Sequence, residues 1–308
     1  MVDIIEVGEN IYQMDDHLYD ITEWGSVYVI NEEKKALVDT GPTTSAATVL
    51  TGIKQLDLRP DDIDYIIVTH IHLDHGGGAG FLLREMPGAQ VVVHQRGAKH
   101  MVNPERLINS KRASQGEESL AGDGEMVPVP ENRIMPVQDG DELILGDKQM
   151  LEIMDAPGHA PHELCIYEKR NRGVFTGDAA GVATTNGRIH LPSSPAPNFD
   201  YEKYTATMKR IMDLNATRLY RGHFGVNTRV QESLEAVMAK MRRWHDMVMA
   251  AIKEDNADGL PERMKLLEMP ELEQARDNAA LYRQLTTSSL PSSVRGFLKY
   301  YRDQNLLN

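Results

Sequence analysis

The sequence is almost free of cysteine: Cys165 is the one thiol among 308 residues. A single thiol cannot form a disulfide within the chain, so a fold held together by internal disulfides is excluded. Cys165 stands in the apolar run 163–167, which is typical of a small core residue rather than a reactive thiol. From this cysteine usage we expect a protein of the reducing cytoplasm.

The sequence is also poor in basic residues, with 33 Lys and Arg against 46 Asp and Glu and a formal net charge of -13. Polyanions such as nucleic acids recruit basic surfaces, so this charge argues against a nucleic-acid partner and favours a small-molecule substrate. No apolar run approaches the roughly 20 residues needed to cross a membrane. The first residues lack the basic-then-apolar layout of a signal peptide, so we expect neither membrane insertion nor export.

The chain contains enough hydrophobic residues, 41%, for a large core. Short runs rich in β-branched residues recur in both halves of residues 1–228 and are separated by turn residues, which predicts strands. Apolar residues at helical spacing predict helices over 43–56, 77–86 and 201–214. The predicted strands cover residues 4–14, 26–30, 35–39, 64–69, 89–94, 134–137, 142–145, 149–154, 163–167, 173–176 and 218–220.

Residues 229–308 have a different character, because apolar residues recur there at steps of three and four. This spacing predicts a long helix from about residue 230 to 252, a second helix opened by Pro270 and ending near Leu285, and a third opened by Pro291. The Gly-, Glu- and Asp-rich segment 115–125 is expected to be a surface excursion over a cleft, with no regular structure predicted for it. We therefore expect a catalytic domain over 1–228 and a helical region over 229–308.

Four potential metal ligands fall within six residues at the end of one predicted strand. His70, His72, Asp74 and His75 follow the apolar run 65–69 and precede three consecutive glycines. Imidazole nitrogens and carboxylate oxygens suit zinc, iron and similar cations, and a loop anchored by a strand can direct several of them into one cavity. The cluster predicts a metal site.

Three further potential ligands stand alone, and each follows a predicted strand and a glycine. These are His159 after Gly158, Asp178 after Gly177 and His223 after Gly222. Glycine lets the chain turn sharply at a strand end and leaves space for an ion beside the backbone. Each of the three is a weak signal by itself.

In order and spacing, the cluster and the three single residues resemble the metallo-β-lactamase superfamily over roughly residues 5–228. This resemblance implies an α/β fold, a four-layer αββα sandwich, here with a C-terminal helical extension. It also implies that His70, His72 and His159 hold one ion, that Asp74, His75 and His223 hold a second, and that Asp178 bridges the two. Asp39 matches the superfamily's acidic residue that orients ligands.

The implied cofactor is a pair of divalent ions, zinc or iron, with manganese also open, because such ligand sets accept several metals. A bound ion lowers the pKa of coordinated water toward about 7, so a metal-bridging hydroxide is the expected nucleophile. Asp74 and Asp178 are the expected catalytic carboxylates, since they also offset the charge of two close cations. His162, three residues after His159, is either a hydrogen-bonding neighbour of the site or a surface residue.

Several branches of the superfamily can be compared with these residues. Flavodiiron proteins typically carry an acidic residue at the position of His72, and acyl-homoserine lactonases commonly have tyrosine at the position of Gly181. Thioesterases resembling glyoxalase II, and the quinolone-signal thioesterase, carry helices after the last histidine. We therefore expect a dinuclear hydrolase of an acyl thioester or related activated ester. The alternatives are a lactonase, a mononuclear iron persulfide dioxygenase and a regulatory protein whose metal site no longer acts.

The C-terminal helices must bury their apolar stripe, because isolated helices of this length are marginal in water. We expect them to cap the metal cleft. Burial against a second subunit would make a homodimer through the same helices.

Overall fold

The computed structural model describes residues 1–184 and 187–307; residue 308, the last of the predicted helical region, lies outside it. Seven strands form the first sheet in sequential order. The first four are antiparallel, and β4 to β7 are parallel. The strands are β1 Ile4–Gly8, β2 Ile11–Asp15, β3 Ser26–Asn31, β4 Lys35–Val38, β5 Ile63–Val68, β6 Gln90–His94 and β7 Ile134–Val137.

The second sheet has six strands in the order β15-β14-β11-β10-β9-β8, and β12 and β13 form a separate hairpin. Strands β11 and β14 are parallel, so the chain must cross over between them. The bounds are β8 Glu142–Gly146, β9 Gln149–Asp155, β10 Leu164–Glu168, β11 Gly173–Gly177, β12 Val182–Thr184, β13 Ile189–Leu191, β14 Arg218–Arg221 and β15 Val226–Asn227. The strands predicted from the sequence are thus confirmed, whereas the β12–β13 hairpin was not foreseen.

Eleven α-helices are found in the described residues, together with short 3-10 turns and one π-helical segment, Leu285–Ser289. They are α1 Ala46–Gln55, α2 Leu73–Gly76, α3 Ala79–Leu82, α4 Gln95–Val102, α5 Glu105–Gln115, α6 Glu117–Asp123, α7 Tyr201–Asp213, α8 Val230–Lys253, α9 Leu260–Leu272, α10 Ala279–Gln284 and α11 Leu290–Asp303.

The two sheets pack face to face, and helices cover both outer faces. Successive residues of β5 point to opposite sides: Ile67 joins the core between the sheets, whereas Ile66 and Val68 pack with α1 and α4 on the outer face. Cys165 lies in the core between the second sheet and helices α7 and α8, as expected for a buried thiol. The fold is therefore an αββα sandwich with a C-terminal helical region.

Three helix predictions were wrong in detail. The second C-terminal helix begins after Gly259 with Pro261 in its first turn, and Pro270 lies inside its last turn. Pro261 fits the first turn, where its missing N–H would have no acceptor within the helix. Pro270 lies inside the helix and removes one hydrogen bond of its last turn. The segment predicted as an irregular excursion contains α6, and the helix predicted over 77–86 is shortened to α3, Ala79–Leu82.

Helix α8 packs against the outer face of the second sheet, next to α7. It contacts α7 and β13, and it buries Val237 and Trp244 completely. Much of the apolar face of α8 is therefore buried within the chain itself. Within the part of the chain that the structure describes, no helix combines the length and the apolar character needed to cross a membrane.

Candidate metal centre

The loops after four strands deliver the candidate ligands to one edge of the sandwich. The loop after β5 carries His70 to His75, the loop after β9 carries His159, and Asp178 and His223 follow β11 and β14. All seven candidate ligands lie in one cluster, in which ligand atoms of neighbouring members approach within 4.8 Å. Their assignment to particular ions remains a prediction.

The first group consists of His70, His72 and His159. His72 Nδ1 and His159 Nε2 lie 2.9 Å apart. Two imidazole nitrogens that face each other this closely can share a proton or direct their lone pairs at one cation. Because His70 also faces this point, a cation accounts for all three rings.

The second group consists of Asp74, His75 and His223, and Asp178 lies between the two groups. Asp178 Oδ1 is 3.6 Å from Nε2 of both His75 and His223. Its other oxygen, Oδ2, is 3.5 Å from His159 Nε2. One carboxylate thus presents an oxygen to each group, which is the arrangement that a bridging ligand requires.

The histidines are oriented by hydrogen bonds on the side away from the cluster. His75 Nδ1 donates to Asp39 Oδ2 over 2.9 Å, and His159 Nδ1 donates to the Ser193 carbonyl over 3.0 Å. Such outer partners select the tautomer that leaves the other nitrogen free to bind an ion. Asp39 thus occupies the orienting position that the superfamily resemblance implies.

Three buried atoms of the cluster have no hydrogen-bond partner among the described residues: His70 Nε2, His75 Nε2 and Asp178 Oδ1. Buried polar atoms without partners are costly and rare in folded proteins. Since ligand atoms of these three residues lie within 4.8 Å of one another, cations bound in the cluster would supply the missing partners. The residues present therefore fit a metal centre.

The electrostatics of the cluster agree with this fit. Burial lowers the pKa of His70 and His72 well below the usual range, so both rings are neutral and able to bind a metal. Burial opposes ionisation of Asp74 and Asp178, but neighbouring histidines outweigh it and lower the pKa of both carboxyls. Burial also lowers the pKa of His75, yet Asp178, Asp39 and Asp74 together raise it to about 10. An ion at His75 must therefore displace a proton.

Two glycines make room for these loops. Gly158 has a φ of 141°, and a Cβ at this position would collide with the backbone of Tyr204 on α7. A Cβ on Gly222 would approach the ring of His75 to 2.5 Å. Both positions therefore require glycine next to a candidate ligand.

Several residues around the cluster were not predicted. Ser193 Oγ donates to Asp178 Oδ2 over 2.8 Å, and Glu163 Oε1 accepts from the Asp178 N–H over 2.7 Å. Trp24 stacks on His223 with ring centroids 4.3 Å apart. Trp24 and Ser193 lie far from the candidate ligands in sequence, and no motif marks them. Glu163 follows His159 by four residues and had a signal, an acidic residue at the start of an apolar strand.

His162, for which a surface position had remained open, is buried. Its ring lies parallel to that of His70, with the centroids 6.5 Å apart, and 5.7 Å from that of His72. Burial lowers its pKa to about 3, so the ring is neutral. His162 thus forms part of the wall beside the first group.

The cluster opens into a cavity of about 980 Å³. Its wall contains candidate ligands, residues of α5 and α6, the segment 191–198 and residues of the C-terminal helices from Ala279 to Ser293. Residues of the C-terminal helices therefore line the same cavity as the candidate ligands, and their role as a cap stays a prediction. Helix α6 occupies the segment that was predicted as an excursion over a cleft.

A sequence profile described as the metallo-beta-lactamase superfamily matches residues 25–223 of the chain. Among similar proteins, the metallo-beta-lactamase fold-containing protein ST1585 of Sulfurisphaera tokodaii is 29% identical over 227 residues, 71% of this chain and 80% of that protein. Acyl-coenzyme A thioesterase MBLAC2 of Homo sapiens is 24% identical over 193 residues, 56% of this chain. The matched part spans 64% of MBLAC2, less than two thirds of its length.

Solved structures agree on the fold. The metallo-beta-lactamase family protein TTHA1429 from Thermus thermophilus superimposes with a TM-score of 0.65 at 21% sequence identity, covering 91% of this chain and 89% of that one. The match of the superfamily profile includes strands β3 to β14 and all seven candidate ligands. This chain belongs to the metallo-beta-lactamase superfamily.

Proposed function

We propose that the protein is a dinuclear metal-dependent hydrolase that cleaves an acyl thioester or a closely related activated ester. The observation that carries the proposal is the position of Asp178, whose two oxygens face two separate groups of ligands. If the site held a single ion at the first group, the side chains of Asp74, His75 and His223 would have no ion to bind. A complete second group therefore favours two ions over one.

The choice of thioesters is supported by a relative and by the cavity. MBLAC2 is named an acyl-coenzyme A thioesterase, and the likeness to this chain is distant. Part of the cavity wall beside the cluster is apolar and suits an acyl chain. These wall residues are Ile21, Trp24, Leu107, Val182 and Leu191.

Two divalent ions bound at this site supply an activated water at neutral pH and polarise the carbonyl group under attack. The chain's own residues prepare the geometry. Ser193 holds one oxygen of Asp178, and Asp39 holds His75, so that neither ligand has to reorganise. The overlying helices limit the access of bulk water to the cavity.

The protein supplies no thiol nucleophile at this site. Cys165 is fully buried in the core behind the second sheet, and burial raises the pKa of its thiol well above the usual range. A protonated, inaccessible thiol cannot attack a substrate. The proposed nucleophile is therefore a water molecule and not a thiol.

The test combines elemental analysis with a substrate screen on the purified, metal-loaded protein. We expect about two ions per chain and hydrolysis of acyl thioesters, with Asp178→Ala losing both metal and activity. The matched control is His100→Asn, which changes a histidine outside the cluster and should change neither.

Three results would contradict the proposal, each in a different way. Preferential opening of lactones would identify a lactonase. One iron per chain with oxygen consumption on glutathione persulfide would identify a dioxygenase. Full thioester hydrolysis by the metal-free Asp178→Ala variant would exclude a metal-dependent mechanism altogether.

A further inference from the structure

The cavity over the metal cluster contains two cationic side chains, although the chain as a whole carries a net charge of -13. Lys111 comes from α5 and Arg283 from α10, so two separate elements each place one positive charge on the same wall. Apart from the candidate ligands Asp74 and Asp178, the acidic residue among the described wall residues is Glu118, which is exposed. Without the candidate ligands, the described wall residues carry two cations and one carboxylate, whereas the chain as a whole is strongly acidic.

Lys111 is held in a defined position. Its side chain is 8% exposed, and its ammonium pairs with Asp123, whose side chain is 1% exposed. The ammonium also donates to Tyr19 Oη over 3.2 Å, and Tyr19 Oη donates to Asp123 Oδ1 over 2.8 Å. An ammonium has three N–H donors, and these two partners take two of them. The third N–H is not taken up by either of these partners.

A stabilising role alone explains this arrangement poorly. Removing a lysine and an aspartate from water costs several kcal/mol per ion, and well-packed apolar residues often stabilise a protein as well or better. The three residues connect α5 and the end of α6 to the loop after β2, beside the cluster. The ion pair of Lys111 and Asp123 thus places a cationic hydrogen-bond donor in the lining of the cavity.

Arg283 complements Lys111 from the C-terminal helices. Its side chain is exposed to the cavity, and its guanidinium has no hydrogen bond or ion pair to any residue that the structure describes. Hydroxyl groups of the adjoining helical turns line the same wall, among them Ser288, Ser289 and Ser292. Guanidinium, ammonium and hydroxyl donors are the groups that bind carboxylates and phosphates.

We propose that Lys111 and Arg283 bind a negatively charged group of the substrate, so that the enzyme selects anionic thioesters over neutral ones. This inference rests on the proposed thioester hydrolysis. The charge can stand on the thiol portion or on the acyl portion of the substrate. Both sources present the same chemistry to the two cations, and the test separates them.

The test measures kcat and KM of the metal-loaded protein with four thioesters. Butyryl-N-acetylcysteamine is neutral, butyryl-glutathione and butyryl-coenzyme A are anionic in the thiol portion, and glutaryl-N-acetylcysteamine is anionic in the acyl portion. The variants are Arg283→Gln and Lys111→Met. Because Arg283 is exposed, its substitution should not affect folding. The control is Arg295→Gln, which removes the same charge from an exposed position on α11 outside the cavity.

We expect Arg283→Gln to raise KM for at least one anionic substrate about tenfold, the effect of losing one charge-assisted hydrogen bond. Values of kcat, and KM for the neutral thioester, should stay within about twofold of wild type, as should all values for Arg295→Gln. Lys111→Met should act in the same direction if its thermal unfolding shows that it is folded. The anionic substrate whose KM rises identifies the portion that carries the charge.

Equal KM changes for neutral and anionic thioesters, or no change with Arg283→Gln, would overturn the inference and leave the hydrolase proposal intact. If wild type cleaves none of the four, the proposed thioester hydrolysis fails. Calorimetric binding of glutathione, coenzyme A and glutarate then tests the charge selection alone. The inference of charge selection would be overturned if none of the three compounds binds. It would also be overturned if Arg283→Gln leaves the affinity for each of them unchanged.

Discussion

Replacing Glu268 by leucine tests how the C-terminal helices are held together beside the active cavity. The Glu268 carboxylate, on α9, is buried; it accepts hydrogen bonds from Trp244 and Arg243 of α8 and forms an ion pair with Lys240 of the same helix. Lys240 Nζ lies at 2.9 Å, Trp244 Nε1 at 2.9 Å and Arg243 Nη2 at 3.1 Å. Lys240 is itself buried, with a side chain 5% exposed. The buried pair of Lys240 and Glu268 therefore joins α8 and α9, whereas the side chain of Arg243 is half exposed.

The expected magnitude follows from what the substitution leaves behind. In Glu268→Leu the Lys240 ammonium keeps only Glu271, at 2.6 Å, and the indole N–H of Trp244 loses its acceptor. Removing one partner of a buried ion pair typically costs about 3–5 kcal/mol. Removing both charges in Lys240→Met with Glu268→Leu should cost less, about 1–3 kcal/mol, because mainly the indole N–H stays unsatisfied. The double variant should thus be more stable than the single one.

The assay is urea unfolding of the metal-free variants, followed by far-ultraviolet circular dichroism. Asp303→Ala is the control, since it breaks the exposed pair of Lys299 and Asp303 on α11 and should change stability little. A Glu268→Leu variant that loses less than about 1 kcal/mol would refute the reasoning. So would a double variant less stable than the single one, because the cost would then not arise from an unpaired charge.

Two further predictions concern carboxylates near the metal centre. Asp39→Asn keeps an acceptor for the Thr69 N–H but turns its amide N–H toward His75 Nδ1, which moves the imidazole proton to the atom facing the cluster. Zinc binding measured by chelator competition should weaken about tenfold or more, and unchanged affinity would contradict this. Burial raises the pKa of Asp16 to about 7, above its unfolded value of 3.8, so the folded protein binds the extra proton and its stability falls as pH rises between these values. Asp16→Asn should lack this loss; urea unfolding that shows the same pH dependence in both proteins would exclude it.

Much of the candidate site could be predicted because its signals are local. His70, His72, Asp74 and His75 share one loop, and the apolar run before them identifies the strand that anchors it. The later ligands each follow a strand and a glycine. Strand periodicity and a glycine beside a ligand are properties of a few consecutive residues, so the sequence alone is enough to locate them.

The helical segments were predicted less well, because their boundaries depend on packing. Proline favours the first turn of a helix, and for this reason Pro270 was predicted to open the second C-terminal helix. The helix in fact begins earlier, with Pro261 in its first turn and Pro270 inside it, and which proline opens the helix depends on the neighbouring elements. Helix α6 has little apolar character of its own, and its position depends on the contact of Asp123 with Tyr19 and Lys111. Such long-range contacts leave no periodic signal.

The sequence by itself determined the strands, the set of candidate ligands and, through the order of those ligands, the superfamily. Tertiary structure alone decided which atoms face one another: Asp178 between two groups of ligands, Ser193 and Asp39 behind them, and Lys111 and Arg283 on one cavity wall. The physical reason is that ligand type and loop position are encoded within a few residues. The charge and shape of the cavity, in contrast, arise from side chains more than a hundred residues apart that only the packed layers bring together.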